Sequence, residues 1–335
     1  MQSSNTPPAK AVVADIGGTN ARFAVADLAS LELVEMRHFL CSDHPTLAHA
    51  TRAYLDALPE PPAYAAIAVA APVAGDEIRL TNSPWSFARA ELCRDSGLAG
   101  VLVLNDFQAL ALSLPHLQAS ELAQIGGGEA APHAPKVVVG PGTGIGVGGL
   151  VWSGRDWVTV ASEGGHILLA AQDQSEFAVI ERLRTGRERV SVERALSGPG
   201  LSDLYQAVAA LRAEVAPALA PGEIAQRALA RSDPIATEAL LHFVTWLGRF
   251  AGDAALFFGA RGGVYLGGGI PAKIIDALQT GAFRHAFEEK GRLRSLLAPI
   301  PIYVILAEQA ALKGAAAGLR AALAAGGAEL TRPQA

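Results

Sequence analysis

The chain has 335 residues, which at roughly 100–200 residues per domain argues for two domains. Half of it is apolar and only 18% is charged, so a large core is available and global disorder is excluded. The net charge of −5, with 22 Arg, 5 Lys and no basic block, speaks against partners such as nucleic acid or an anionic membrane surface.

Cys41 and Cys93 are the only cysteines, too few for a disulfide framework or a cysteine-held zinc, and that usage fits a reducing cytoplasm. Residues 1–10 are polar and carry no apolar signal-peptide core. The uncharged run 137–154 is long enough to resemble a membrane span. Its glycines and Pro141 suit strands joined by a tight loop better than a helix. The expectation is a soluble, cytoplasmic protein.

In chain order, 11–16 and 22–27 read as strands separated by Gly17, Gly18, Thr19 and Asn20, with a third strand near 31–40 completing a meander. A helix is expected over 46–57, a buried strand over 63–70, a helix over 84–94 capped by Ser83, a strand over 101–104 and a helix over 107–114 ended by Pro115. The stretch 124–135 is rich in glycine and proline and reads as a boundary or crossover, and 1–9 and 326–335 read as loose ends. A second meander follows, with strands at 137–139, 147–152 and 157–160. Helices are then expected near 174–185, 200–215, 222–231 and 233–257, a strand at 264–266, a helix from Pro271, a strand at 302–306 and a helix over 310–325. A glycine-turned meander followed by α/β units occurs twice. The expected fold is therefore α/β, two related lobes with a ligand-binding cleft between them.

Both glycine turns can aim backbone N–H groups at phosphate. In the first, Ala14, Asp15, Ile16, Gly17, Gly18, Thr19 and Asn20 place a carboxylate at a strand end, fit to hold a water of a Mg²⁺ shell, ahead of two glycines and two short polar side chains. The second offers Gly142, Thr143 and Gly144. Each could be an ordinary hairpin turn; their recurrence at the head of each half favours nucleotide. The letters Gly144-x-Gly146-x-x-Gly149 fit a dinucleotide fingerprint, but that fingerprint opens a helix and 147–152 has the character of a strand. Gly267, Gly268 and Gly269 follow a strand and can lie against an adenosine or simply pack closely.

Asp106 follows an apolar strand and opens a helix, a rigid place from which a carboxylate can accept a hydroxyl proton; Asn105 and Asp106 equally fit an N-cap pair. Glu163 and His166 flank two glycines and match the donor and acceptor pattern of sugar hydroxyls. Glu193 has the look of a surface charge, and Asn82 of either a ligand-facing amide or a turn residue before Pro84.

The ordered set ADIGGTNAR (14–22), TNSPW (81–85), LNDF (104–107), GPGTGIG (140–146), SEGGH (162–166), VSVERALSGPG (190–200), GGGI (267–270) and AFEEKGR (286–292) resembles the bacterial glucokinases of the sugar kinase and actin-like ATPase superfamily, over nearly the whole chain. The resemblance implies two actin-like (ribonuclease H-like) lobes, with a small domain of 1–118 plus 308–335, a large domain of 119–307, and hinges near 115–135 and 305–310. It implies ATP-dependent phosphorylation of glucose at the 6-hydroxyl, with Asp106 as general base. Asn82, Asn105, Glu163, His166 and Glu193 would hold the sugar. The two turns would embrace the ATP phosphates and Mg²⁺, and residues 267–269 would approach the adenosine. The cysteine-rich zinc loop of the related ROK sugar kinases is missing, so no structural zinc is expected, and a homodimer is. The rival readings are a sugar-sensing regulator that has lost transfer and, further off, a nicotinamide oxidoreductase.

Overall fold

The computed structural model describes residues 8–80, 83 and 85–333, which fall into two compact units. The first comprises the described residues of Met1–Leu117, Ser153–Thr159 and Ala307–Ala335. The second comprises Gln118–Trp152 and Val160–Leu306. Ser153–Thr159, inside the range assigned above to one domain, thus clusters with the other.

The first unit is built on a five-stranded sheet of β1 (Lys10–Ile16), β2 (Asn20–Asp27), β3 (Leu33–Leu40), β4 (Tyr64–Val69) and β7 (Gly100–Asn105), in the order β3-β2-β1-β4-β7. β1, β2 and β3 form an antiparallel meander, and β1-β4 and β4-β7 pair in parallel. A short hairpin of β5 (Glu77–Arg79) and β6 (Ser86–Ala88) stands apart from it. Because strand side chains alternate, β1 sends Val12, Ala14 and Ile16 to one face, packed with α1 (Leu47–Asp56) and α2 (Arg89–Ser96). Ala11 and Val13 go to the other.

That second face is lined by small residues, Ala11, Ala24, Ala26, Ala66 and Ala68, which meet the alanine-rich helix Ala310–Ala324 and α3 (Asp106–Ser113). Small side chains on both sides let the backbones approach closely. A Cβ on Gly314 would sit 1.7 Å from the Ala109 carbonyl oxygen, so no side chain fits there. Asp15 has the parity of Ala11 and Val13, and this places its carboxylate on the face that carries α3.

The second unit repeats the plan. Its sheet contains β8 (Leu122–Gly126), β9 (Lys136–Pro141), β10 (Ile145–Trp152), β12 (Val264–Leu266) and β13 (Ile302–Ile305), with β11 (Trp157–Ser162), whose residues up to Thr159 cluster with the first unit, at its edge, in the order β11-β10-β9-β12-β13-β8. β9 pairs antiparallel with β10 and parallel with β12, as β1 does with β2 and β4. β8 is the one added strand, antiparallel to β13. The helices α4 (Gln174–Arg184), α5 (Val192–Ala195), α6 (Gly198–Leu211), α7 (Pro221–Leu229) and α8 (Pro234–Phe258) cover it in one continuous core. α8 starts where Asp233 accepts bonds from the amides of Ile235 and Ala236 and stops at Gly259, whose φ is 59°. No helix among the described residues is long and apolar enough to cross a membrane.

Four local expectations change. The helix expected over 84–94 begins only at Arg89, because Phe87 is drawn into a cross-strand pair with Ile78 and buried. Within the expected boundary 124–135, residues up to Gly126 finish an edge strand, and pairing with β13 supplies what local sequence does not show. The tail after 326 is tied down: Leu330 is buried and Thr331 exchanges two backbone hydrogen bonds with Val101, of 2.9 and 3.0 Å. After Pro271 there is only a 3₁₀ turn to Ile274 and one helical turn, Ile275–Leu278.

Gly314→Ala tests the close helix contact. Overpacking against a backbone oxygen is expected to cost about 2–3 kcal/mol, read as a lower Tm; an unchanged Tm would mean the two helices are not this close.

Candidate active site

In the first unit the glycine turn joins β1 to β2. Gly17 N donates to Asn20 O at 2.9 Å, and the backbone of Cys41 clamps the turn from the side by donating to Thr19 O at 2.8 Å. Thr19 is exposed at the tip. Asp15 and Arg22 are register partners across this hairpin, and Arg22 Nη1 lies 3.3 Å from Asp15 Oδ2. Burial raises the Asp15 pKa, and the Arg22 charge and hydrogen bond pull against that rise.

Asp106 stands where β7 gives way to α3. Asn105 is the N-cap of that helix: its Oδ1 accepts from Phe107 N at 2.9 Å and Gln108 N at 3.3 Å. Its Nδ2 donates to Asp106 Oδ1 at 2.9 Å and to Ala71 O at 3.2 Å. Asp106 Oδ1 also accepts from Phe107 N at 3.0 Å. Both bonds that hold this carboxyl therefore fall on one oxygen, which leaves Oδ2 for a ligand. Burial, reinforced by the negative charge of Asp15, pushes the Asp106 pKa up to about 7; the bonds from Phe107 and Asn105 limit the rise. A carboxylate balanced near neutrality is matched to taking a proton from an alcohol.

The second unit assembles the other polar residues. An isolated bridge between Leu168 and Ser191 brings the start of α5 against the Gly164–His166 turn. His166 Nδ1 lies 4.0 Å from Glu193 Oε1, and His166 Nε2 lies 3.9 Å from Glu163 Oε2. Glu193 Oε2 accepts from Ile145 N at 3.2 Å, at the end of the second glycine turn. A Cβ on Gly144 would lie 2.4 Å from that same oxygen, so this glycine makes room for the carboxylate. All three side chains keep exposed surface. Two acceptors around an imidazole, close together and partly open, form a surface suited to vicinal hydroxyls.

The remaining glycines divide into those the chain itself requires and those it does not. Gly268 has φ +79°, and a Cβ there would meet Pro141 O at 2.7 Å, so it packs residues 267–269 against the second turn. Gly142 and Gly269 have neither a left-handed φ nor any atom within 4 Å of an added Cβ. Nothing internal demands glycine at either place, and a side chain there would meet open space. The turns thus fit a polyphosphate, and Asp15 is a fit for a hydrated Mg²⁺. β10 is a strand paired antiparallel with β9 from Ile145 to Leu150, which disposes of the dinucleotide fingerprint.

Asn82 lies outside the described residues. Asp15, Asn105 and Asp106 belong to the first unit, and Gly142, Thr143, Gly144, Glu163, His166, Glu193 and residues 267–269 to the second. Asn105 already has partners for its amide hydrogens and its oxygen, so its evident work is to hold Asp106. Arg22 and Gln108 were given no role by sequence. The three-residue spacing from Asn105 to Gln108 is the signature of a capping box and could have exposed the latter.

A glucokinase family model matches residues 12–322. The chain belongs to the glucokinase family. It is 49% identical to the glucokinase of Aromatoleum aromaticum over 315 residues, covering 93% of this chain and 95% of that one. The crystal structure of a glucokinase from an Antarctic psychrotroph is similar with a TM-score of 0.84 and 36% identity, over 93% of this chain and 99% of that one. A ROK family glucokinase from Streptomyces griseus, solved with glucose and AMPPNP, shares the fold at 20% identity and a TM-score of 0.61, over 92% and 98%. Family membership bears out the two-lobed actin-like α/β class.

The raised Asp106 pKa has a consequence for stability. The folded carboxyl keeps its proton up to about pH 7, whereas the unfolded one releases it near 3.8, so folding loses stability as pH rises between those values. Asp106→Asn is therefore expected to stabilise the ligand-free protein at pH 8, by at most about 4 kcal/mol, and by much less at pH 5. Calorimetric Tm values that shift equally at both pH values would refute the burial of that charge.

Proposed function

We propose that this glucokinase-family chain transfers the γ-phosphoryl group of ATP to the 6-hydroxyl of D-glucose, giving glucose 6-phosphate and ADP. The observation that carries the reading is Asp106: a half-buried carboxyl near neutrality, held through Oδ1 by Asn105 and Phe107. Asp106 Oδ2 takes the hydroxyl proton as the sugar oxygen attacks phosphorus and the bond to the ADP oxygen breaks. Glu163, His166 and Glu193 hold the other hydroxyls, with Asn82 near the sugar and Asn105 keeping the base in place. The turns of residues 14–20 and 142–144 receive the phosphates, and residues 267–269 receive the adenosine.

Mg²⁺, held through water by Asp15, would supply positive charge against the transferring group. The Arg22 guanidinium opposes the rise that burial gives the Asp15 pKa and so favours its ionised form. The domain division at 118 and 308, with hinges near 115–135 and 305–310, and a cytoplasmic homodimer complete the reading, on the resemblance alone. A regulator without transfer would have no use for a carboxyl with this pKa, and ADP release on adding glucose and ATP decides between the two.

Asp106→Asn is expected to lower kcat by about 10²–10⁴-fold with glucose binding largely kept. Turnover close to that of the unaltered enzyme would refute the base. In the unaltered enzyme kcat is expected to rise with pH through an acid limb near 7, as Asp106 loses its proton; a flat profile from pH 5.5 to 8 contradicts this. Glu193→Gln is expected to weaken glucose affinity by about tenfold and ATP affinity far less. Unchanged glucose binding by calorimetry would return Glu193 to a surface charge.

A further inference from the structure

The base is held by a residue that is itself held. Asn105 Nδ2 fixes Asp106 Oδ1 at 2.9 Å, and what fixes Asn105 is the reciprocal closure of the α3 N-terminus. Gln108 Oε1 accepts from Asn105 N at 3.2 Å while Asn105 Oδ1 accepts from Gln108 N at 3.3 Å. The far end of the Gln108 side chain is anchored too, its Nε2 lying 3.4 Å from Thr159 Oγ1. Gln108 touches neither carboxyl oxygen of Asp106 in any hydrogen bond among the described residues. It acts only through the cap.

We propose that Gln108 is a positioning residue for phosphoryl transfer: its side-chain oxygen locks the Asn105 cap, and the locked cap turns Asp106 so that Oδ2 is presented to the acceptor hydroxyl. The inference rests on the reading of Asp106 as base. Physically, removing the Gln108 amide orphans the Asn105 N–H in a half-buried place. Asn105 then has a reason to leave its rotamer, and the Nδ2 bond that orients Asp106 goes with it. The carboxyl then keeps only backbone donors, Phe107 N and its own amide, and can rotate. The charges that face Asp106 are those of Asp15 and, through it, Arg22, and neither depends on Gln108. What the substitution changes is therefore the aim of the base, together with one bond that favours its ionised form.

The test compares Gln108→Ala, Gln108→Glu and Asp106→Asn in the full-length chain, with kcat and glucose KM measured from pH 5.5 to 9. Gln108→Ala is expected to lower the alkaline plateau of kcat about 10-fold, to leave glucose KM within about threefold, and to move the acid limb upward. Gln108→Glu retains an acceptor for Asn105 N and is expected to restore the plateau to within about twofold. If Gln108→Ala does not fold, Gln108→Met keeps the stem, loses the acceptor and is read the same way. A normal plateau and acid limb in the folded Ala or Met variant overturns the proposal, and so does a Glu variant as slow as the Ala variant. Asp106→Asn separates the two levels: if it is inactive while Gln108→Ala is normal, only the role of Gln108 falls. If Asp106→Asn turns over normally, the base reading falls and takes this inference with it.

Discussion

Two carboxyl groups share the same face of a buried sheet, and the cost of charging both shapes the first unit. Asp15 lies one residue from the end of β1 on the face that carries α3, and Asp106 opens α3 just after β7. Each carboxyl is pushed toward its neutral form by burial, and the fold separates their fates with different partners. Arg22 sits across the hairpin from Asp15 and supplies an opposite charge. Asp106 receives only neutral donors, Asn105 and Phe107, so its proton remains within reach of neutral pH. The two carboxyls are thereby set apart: an opposite charge offsets burial at Asp15, and only neutral donors offset it at Asp106.

The packing around this pair follows from residue size. Alanines on the sheet and on the helix Ala310–Ala324 let that helix and α3 approach until Gly314 lies against the Ala109 carbonyl. The C-terminal segment thus belongs structurally with the N-terminal sheet, and packs against the helix that Asp106 opens. The second unit reuses the meander and its turn for another purpose. There the glycine at 144 is vacated for Glu193, and the turn at 164–166 carries His166 between two carboxylates. The two sheets share their strand pairings, while the side chains at their turn ends differ.

Much of this was legible in the letters. Strands such as β4 and β7 are continuous apolar runs, and α8 announces itself with Asp233, Pro234 and Gly259. The recurrence of a glycine-turned meander gave the two-lobed class before any coordinate. What failed was short and non-local. Ser86–Ala88 and Leu122–Gly126 carry no periodicity of their own and become strands only because Glu77–Arg79 and Ile302–Ile305 offer them partners. Glu193 could not be told from a surface charge, since its neighbours His166 and Ile145 lie far off in sequence. The role of Gln108 was written locally, in a capping box, but becomes meaningful only once Asp106 is seen to depend on the cap.

The central claim is that the Asp106 carboxyl titrates near neutrality because it is buried beside a second carboxyl. It is tested most directly by ¹³C NMR titration of the aspartate side-chain carboxyls in the ligand-free protein, with the Asp106 signal assigned by its loss in Asp106→Asn. A midpoint near 7 that falls when Asp15 is replaced by Asn is the expected result. A midpoint close to the ordinary 3.8, indifferent to Asp15, would contradict the account.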